Sequence, residues 1–228
     1  TVIYATGDSL DPLVPAYAGD GNETNYARRA GDHHDGINYF GLHPTADVRD
    51  PNGTQRALLA MNHENISGTA QFLHPQGETN LGASAGPRPE DQVIKEIDAH
   101  GVSVVEIRKT GGQFATHKPS RYNRRVTGRT LVDISGPVRG TAFVKTKFSP
   151  TGLTARGTLN NCGHGVTPWG TYLACEENWA GYFVRNVGDD LNRPQRENTQ
   201  LLRNGLRSGA AGFAARRWSS VVPADPTS

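Results

Sequence analysis

The chain has 228 residues and a formal net charge of +2, and hydrophobic residues make up 35% of it. This charge is too small to indicate a nucleic-acid-binding protein, because such proteins usually carry a strongly basic stripe. The sequence has no apolar run of about 18 residues, so no helix is expected to span a membrane. The 27 glycines and 14 prolines exceed the usual share, which indicates many turns and short elements.

Short apolar runs recur along the chain between turn residues. Their spacing of roughly 10 to 15 residues is typical of short strands, and it favours a mainly β fold such as a propeller or a sandwich. The runs that we interpret as strands cover residues 36–42, 56–61, 102–108, 113–117, 131–134, 142–146, 154–159, 171–175 and 182–185.

Two segments have helical patterns. Residues 89–100 begin with a proline and two acidic residues, which suit the first turn of a helix, and Gly101 follows as a C-terminal glycine. A second helix is predicted over residues 194–203. It lies within a polar region, residues 186–228, that we interpret as an insertion or a tail.

The stretch 157–183 is the most informative for function, because it concentrates residue types that bind metals. Residues 158–161 are interpreted as the end of one strand. Residues 163–170 (GHGVTPWG) are interpreted as a turn, and residues 171–177 (TYLACEE) as a second strand. The stretch is therefore predicted to form a hairpin with possible metal ligands at both ends.

Four side chains of this hairpin stand out: Cys162, Cys175, Glu176 and Glu177. Side chains alternate along a strand, so Cys175 and Glu177 are expected on one face and Glu176 on the other. The spacing is compatible with metal ligands. It is equally compatible with a disulfide or buried cysteines beside solvated glutamates.

The motif NNC-x-x-G-x-TPWGTYL-x-CEEN-x-x-GYF, at residues 160–183, resembles a signature of the PhoX alkaline phosphatase family. Three further segments resemble that family in the same order. They are ALLAMNHEN at 57–65, IKEIDAHGVSVVEI at 94–107 and SRYNRRVTGRTLVDISGP at 120–137. The similarity covers about residues 30–185.

The resemblance implies a β-propeller with added helices and loops, in a bacterial enzyme that is secreted or periplasmic. It implies hydrolysis of small phosphomonoesters by a cluster of calcium and iron. Family members are much longer than 228 residues. We therefore expect residues 1–228 to form a single partial domain, the N-terminal part of a propeller that the remainder of its own chain completes.

The resemblance also implies a set of metal ligands. Cys162 matches the iron-binding cysteine, Glu176 and Glu177 match the carboxylates of the CEE motif, and Glu64 matches the glutamate of the NHE segment. Asp35 aligns with an acidic residue of the N-terminal segment, as a calcium ligand. Iron(III) accepts thiolate and carboxylate ligands, and calcium takes several oxygens.

Arginines and one histidine near these segments leave alternatives open. Arg124 and Arg125, with Arg121 and Arg129 nearby, are candidates for contacts to phosphate, or for ion pairs and loop anchors. His164 is either a surface residue or an additional ligand.

Two other functions are compatible with the same residues. The protein could be a calcium-binding propeller module without catalysis, or a metal-dependent hydrolase of another ester. A fold alone does not decide between them, because function depends on the site.

Overall fold

The computed structural model of the protein describes residues 1–66, 72–82, 84–209 and 216–223. The helices and strands within these ranges are β1 (His34–Leu42), β2 (Arg56–His63), α1 (Glu90–Ala99), β3 (Gly101–Thr110), β4 (Gln113–Thr116), β5 (Arg124–Val126), β6 (Leu131–Asp133), β7 (Thr154–Arg156), β8 (Asn161–Val166), β9 (Tyr172–Glu176) and α2 (Gln195–Arg203). The fold is mainly β, which confirms the predicted class.

The chain divides into two compact units. The first comprises Thr1–Gly77, Ile94–Thr130 and Gly157–Glu177, and the second comprises Glu78–Val93, Leu131–Arg156 and Asn178–Ser228. That residues 1–228 form one partial domain stays a prediction. Of the predicted polar insertion or tail at 186–228, residues 210–215 and 224–228 lie outside the described residues.

The first unit is built on a five-stranded antiparallel sheet. Its strand order is β1-β2-β3-β4, and β5 pairs with the other end of β3. Tyr39 of β1 lies opposite Leu59 of β2, which in turn lies opposite Val105 of β3. The hairpin of β8 and β9 forms a separate two-stranded sheet in the same unit.

Two apolar clusters stabilise the first unit. One contains Tyr4, Leu10, Ala30, Met61 and Val105, with Leu59 packed against it. The other contains Tyr26, Ile66, Leu73 and Ala99, with Phe72 packed against it. Full burial of one large apolar side chain contributes roughly 1.5–3 kcal/mol, so these clusters account for much of the unit's stability.

The predicted helix and its glycine stop are confirmed. α1 begins at Glu90 and ends at Ala99, and Val93 and Ile97 on its apolar face are buried. Gly101 has φ +110° and lies so close to β5 that a Cβ atom would be 2.0 Å from the carbonyl oxygen of Val126. Only glycine suits this position, where the chain leaves the helix and enters β3 at once.

The second unit contains the β6–β7 pair and α2. Tyr182 stacks on Trp218 in this unit, with ring centroids 5.0 Å apart, and Trp179 contacts Phe183 edge-on. The buried Arg185 pairs with Asp189 and Asp190. None of the described helices combines the length and apolar character that a membrane span requires.

Two strands predicted from the sequence are not formed. Residues 142–146 contain a short 3-10 helix, Ala142–Val144, with no buried side chain. As β structure, residues 182–185 contain isolated bridge residues only, among them Arg185, which pairs with Ser208. Conversely, β8 includes part of the predicted turn, and β5 was missed. Short runs carry a weak periodic signal, and whether they become strands depends on distant pairing partners.

Candidate metal centre

The β8–β9 hairpin positions Cys162 through an irregularity in its pairing. Asn161 lies opposite Glu176 and His164 lies opposite Ala174, so β8 has one more residue than β9 between these pairs. Cys162 sits in this bulge. A bulge bends the strand and turns its side chains away from the regular alternation.

A second bulge carries Asp35. His34 pairs with His63 and Ile37 pairs with Met61, so β1 also has one extra residue between two pairs. Glu64 follows the end of β2 directly. Asp35 and Glu64 therefore lie at the same end of the paired strands β1 and β2.

These two bulges and the end of β2 bring three potential metal ligands together. One ligand atom from each of Asp35, Glu64 and Cys162 lies within 4.8 Å of the other two. Asp35 is exposed, and Glu64 and Cys162 are half-buried. The group is thus accessible while it is held by three separate strands.

The carboxylates of this cluster raise the pKa of neighbouring groups in it. Burial raises the pKa of Glu64, and the Asp35 and Glu177 carboxylates raise it further. Hydrogen bonding to Asp35 and then to Glu177 raises the pKa of the Cys162 thiol to about 12. Like charges at this density disfavour one another unless a cation shares them.

The two adjacent glutamates of the hairpin have different surroundings. The side chain of Glu177 is a hydrogen-bond partner of the Cys162 thiol, and the backbone N–H of Glu177 donates to the carbonyl of Asn160 at 3.0 Å. Oε1 of Glu176 instead accepts hydrogen bonds from the Thr158 hydroxyl at 2.6 Å and from the Leu159 N–H at 3.0 Å. The structure places Glu177, and not Glu176, next to the Asp35–Glu64–Cys162 group.

Arg125 is buried and its guanidinium faces the backbone. Its Nε donates to the carbonyl of Val102 at 3.3 Å, and Nη2 donates to those of Asp98 and His100 at 3.1 and 2.6 Å. Nη1 donates to two further carbonyls, of Tyr26 and Arg29.

These five bonds use all five guanidinium donors of Arg125. The side chain therefore has no donor left for a phosphate. Of the two roles considered for Arg125, the structure supports that of a loop anchor. Arg124 next to it is exposed, and its Nη1 donates to the carbonyl of Tyr122 at 2.9 Å.

Both cysteines are free thiols, so the disulfide alternative is not realised in the structure. His164 is exposed and stacks on the ring of Tyr172, with centroids 5.6 Å apart and 22° between the planes. It is not a member of the group that the described residues Asp35, Glu64 and Cys162 form.

The sequence did not single out Asn62 and Tyr172, which contact this cluster's backbone. The Asn62 amide donates to the carbonyl of Cys162 at 2.7 Å, and the Tyr172 hydroxyl donates toward Asn62 Oδ1 at 2.9 Å. Neither residue type signals metal binding. Only their positions within the family motifs could have pointed to them. Asn62 begins the NHE segment, and Tyr172 lies in TPWGTYL.

Comparisons with known proteins identify the family of the chain. The family model described as "Alkaline phosphatase PhoX" matches residues 1–222. A solved structure, "Pseudomonas fluorescens PhoX in complex with vanadate, a transition state analogue", is 31% identical in sequence and has a TM-score of 0.75. No curated protein sequence matches the chain.

The alignment with the solved structure covers 95% of this chain and 34% of the other, so the chain spans about a third of that relative's length. The family match extends over nearly all of the residues, and it includes both bulges that carry Asp35 and Cys162. The chain belongs to the PhoX alkaline phosphatase family.

Proposed function

We propose that the protein hydrolyses phosphate monoesters at a centre of calcium and iron(III), and that this chain supplies part of that centre. The observation that carries the proposal is the convergence of Asp35, Glu64 and Cys162 within 4.8 Å, in a chain of this family. The solved relative is described as a complex with vanadate, a transition state analogue. That description supports phosphoryl chemistry for the relative, and we extend it to this protein.

The donor set of the cluster fits the two proposed metals. The thiolate of Cys162, with carboxylates beside it, suits iron(III), and the oxygens of Asp35, Glu64 and Glu177 suit calcium. When bound, such cations would stabilise the negative charge that a phosphoryl group carries in the transition state. Cys162 would have to lose its proton on binding, so metal affinity should rise with pH.

The remaining candidates have smaller roles in this proposal. Glu176 supports the hairpin through Thr158 and Leu159, which leaves Glu177 as the ligand of the CEE motif. A phosphate contact stays a prediction for the exposed Arg124, and Arg125 is not part of it.

We further propose that the chain forms part of a β-propeller and that the remainder of the protein contributes further ligands. The support is that the chain spans about a third of the solved relative. The proposal includes export to the periplasm or the medium, as is typical of the family. Fractionation of the bacterium, with a cytoplasmic marker enzyme, tests the location.

The function is tested on the purified protein that carries this chain at its natural length. Its iron and calcium are measured by elemental analysis, and hydrolysis of p-nitrophenyl phosphate is measured with and without a calcium chelator. We expect both metals and chelator-sensitive turnover. Cys162→Ala should lose iron and activity, whereas Cys175→Ala, which removes the other free thiol, should keep both.

Two outcomes would overturn the proposal. Calcium without iron, and no turnover, would identify a calcium-binding module. Turnover of a sulfate ester or a lactone, with none of the phosphate monoester, would identify a hydrolase of another ester. Equal effects of the two cysteine substitutions would contradict the assignment of Cys162.

A further inference from the structure

Asn62 connects the main sheet to the bulge of the β8–β9 hairpin. It lies on β2 and is completely buried, and its Nδ2 donates to the carbonyls of Cys162 at 2.7 Å and Gly163 at 3.2 Å. β2 and β8 belong to different sheets, so no ladder of backbone hydrogen bonds joins them. The side chain of Asn62 thus hydrogen-bonds to the backbone of β8 at the point where the extra residue disrupts regular strand pairing.

Tyr172 connects the same amide to the other bulge. Its hydroxyl lies 2.9 Å from Oδ1 of Asn62 and 2.8 Å from the carbonyl oxygen of Gly36. Gly36 is the residue after Asp35, in the bulge of β1. A Cβ atom at Gly36 would be 2.6 Å from Nδ1 of His164, whose ring stacks on Tyr172.

The orientation of the Asn62 amide follows from its partners. Its nitrogen faces two carbonyl oxygens, which only accept hydrogen bonds, so its oxygen must face the hydroxyl of Tyr172. That hydroxyl has a single hydrogen and two acceptors within reach. A continuous path of hydrogen-bonding contacts therefore runs from the Gly36 carbonyl through Tyr172 and Asn62 to the Cys162 carbonyl.

We propose that Asn62 and Tyr172 are positioning residues of the metal centre, which hold the bulges of Asp35 and Cys162 at the separation that lets both contribute ligands to the same centre. This inference rests on the proposed function. Neither side chain is expected to touch metal or substrate. Both hydrogen-bond to the backbone of a ligand residue, Cys162, or of the residue that follows a ligand, Gly36 or Gly163.

A purely structural role would give a different result from a positioning role. Loss of a structural hydrogen bond lowers stability and leaves the metal affinity of the folded protein unchanged. Loss of a group that orients a ligand typically weakens metal binding about 10- to 100-fold. Metal affinity, measured apart from stability and activity, separates the two roles.

Tyr172→Phe is the main test variant, because it removes one oxygen and keeps the ring that stacks on His164. Tyr39→Phe is its matched control. The Tyr39 hydroxyl also donates to a glycine carbonyl, that of Gly53, at 2.8 Å. Tyr39 lies on β1, the strand that also contains Gly36. The two changes remove the same group and the same kind of bond.

Both variants are made in the protein at its natural length. Iron affinity is measured by competition with a chelator, and the absorption band from thiolate-to-iron charge transfer is recorded. We expect Tyr172→Phe to weaken iron binding about tenfold and to shift or diminish the band, with Tyr39→Phe like the wild type. Asn62→Ser, which replaces the amide with a shorter hydroxyl group, should weaken binding further because it releases both Cys162 and Tyr172.

The inference would be overturned, and the proposed function kept, by one result. In that result the wild type binds iron, and Tyr172→Phe has the same iron affinity and absorption band as Tyr39→Phe. A wild-type protein that binds neither metal would overturn the proposed function, and the inference with it. Thermal unfolding of each metal-depleted variant identifies any loss of affinity that comes from unfolding.

Discussion

The carboxylate of Glu176 accepts a hydrogen bond from the hydroxyl of Thr158 at 2.6 Å. Its neighbour Glu177 lies beside the Cys162 thiol. Two adjacent glutamates therefore have separate tasks. One holds the hairpin to the preceding loop, and the other adds a carboxylate to the candidate metal centre.

The pair Glu177→Gln and Glu176→Gln tests this division. We expect Glu177→Gln to reduce bound metal about tenfold or more, because an amide is a weaker ligand than a carboxylate. Glu176→Gln should keep the metal content and lower the free energy of unfolding by about 1 kcal/mol, through weaker bonds to Thr158 and Leu159. Elemental analysis and urea denaturation measure the two effects, and an equal loss of metal in both variants would refute the division.

Arg125 gives a prediction about stability. Lysine has three donors on one nitrogen and cannot serve the five carbonyls that Arg125 reaches. Several buried carbonyls would lose a hydrogen bond, and each one left with no partner would cost about 1–3 kcal/mol. We expect Arg125→Lys to lower the free energy of unfolding by about 3 kcal/mol or more.

The matched control for this prediction is Arg124→Lys, at the exposed neighbouring position. It should change the free energy of unfolding by less than about 0.5 kcal/mol. Denaturant titration of the two variants decides the matter. Similar stabilities would mean that the carbonyl contacts of Arg125 contribute little.

Gly101 allows backbone strain and close approach to be separated. Gly101 and Gly112 both have positive φ, +110° and +83°, but a Cβ atom at Gly112 would have no described atom within 4 Å. Alanine at Gly112 should therefore cost only the strain, about 1 kcal/mol. Alanine at Gly101 would also press on the carbonyl of Val126, and we expect a cost of about 3 kcal/mol. Equal costs by thermal or urea unfolding would exclude a steric effect at Gly101.

The parts of the fold that the sequence predicts best are those with local signals. Helix α1 has a local signal at each end, an acidic first turn and a glycine stop, so its bounds were predicted to within one residue at each end. β5 has three residues and no apolar pattern of its own. It becomes a strand only because β3 lies beside it, a partner about 20 residues away in sequence.

In the candidate site, too, the sequence predicts what depends on local motifs and does not predict what depends on strand pairing. Family motifs singled out Cys162, Glu64, Glu176 and Glu177, and in the structure Glu177 contacts Cys162 whereas Glu176 binds Thr158. The convergence of Asp35 with Cys162 depends on two bulges. A bulge is defined by the register of the partner strand, so a single sequence does not reveal it.

Buried Glu106 gives a prediction about acid stability. Burial opposes its ionisation, but hydrogen bonds from Arg56 at 2.7 Å, Ser120 at 2.6 Å and Arg108 at 2.8 Å outweigh burial and lower its pKa to about 2. An unfolded glutamate has a pKa near 4.5. The stabilisation is therefore complete above about pH 4.5, and it is lost as the pH falls toward 2.

This carboxylate should account for a loss of about 2 kcal/mol in the free energy of unfolding between pH 6 and pH 3, because each unit of pKa shift corresponds to about 1.4 kcal/mol. Other carboxylates also titrate in this range, so the quantity to measure is the difference between wild type and Glu106→Gln. Glutamine cannot ionise, and its variant should be less stable at pH 6 and should lose less stability on acidification. Parallel curves of unfolding free energy against pH would show that Glu106 has an ordinary pKa in the folded protein, and that its contacts with Arg56 and Arg108 do not favour the ionised form.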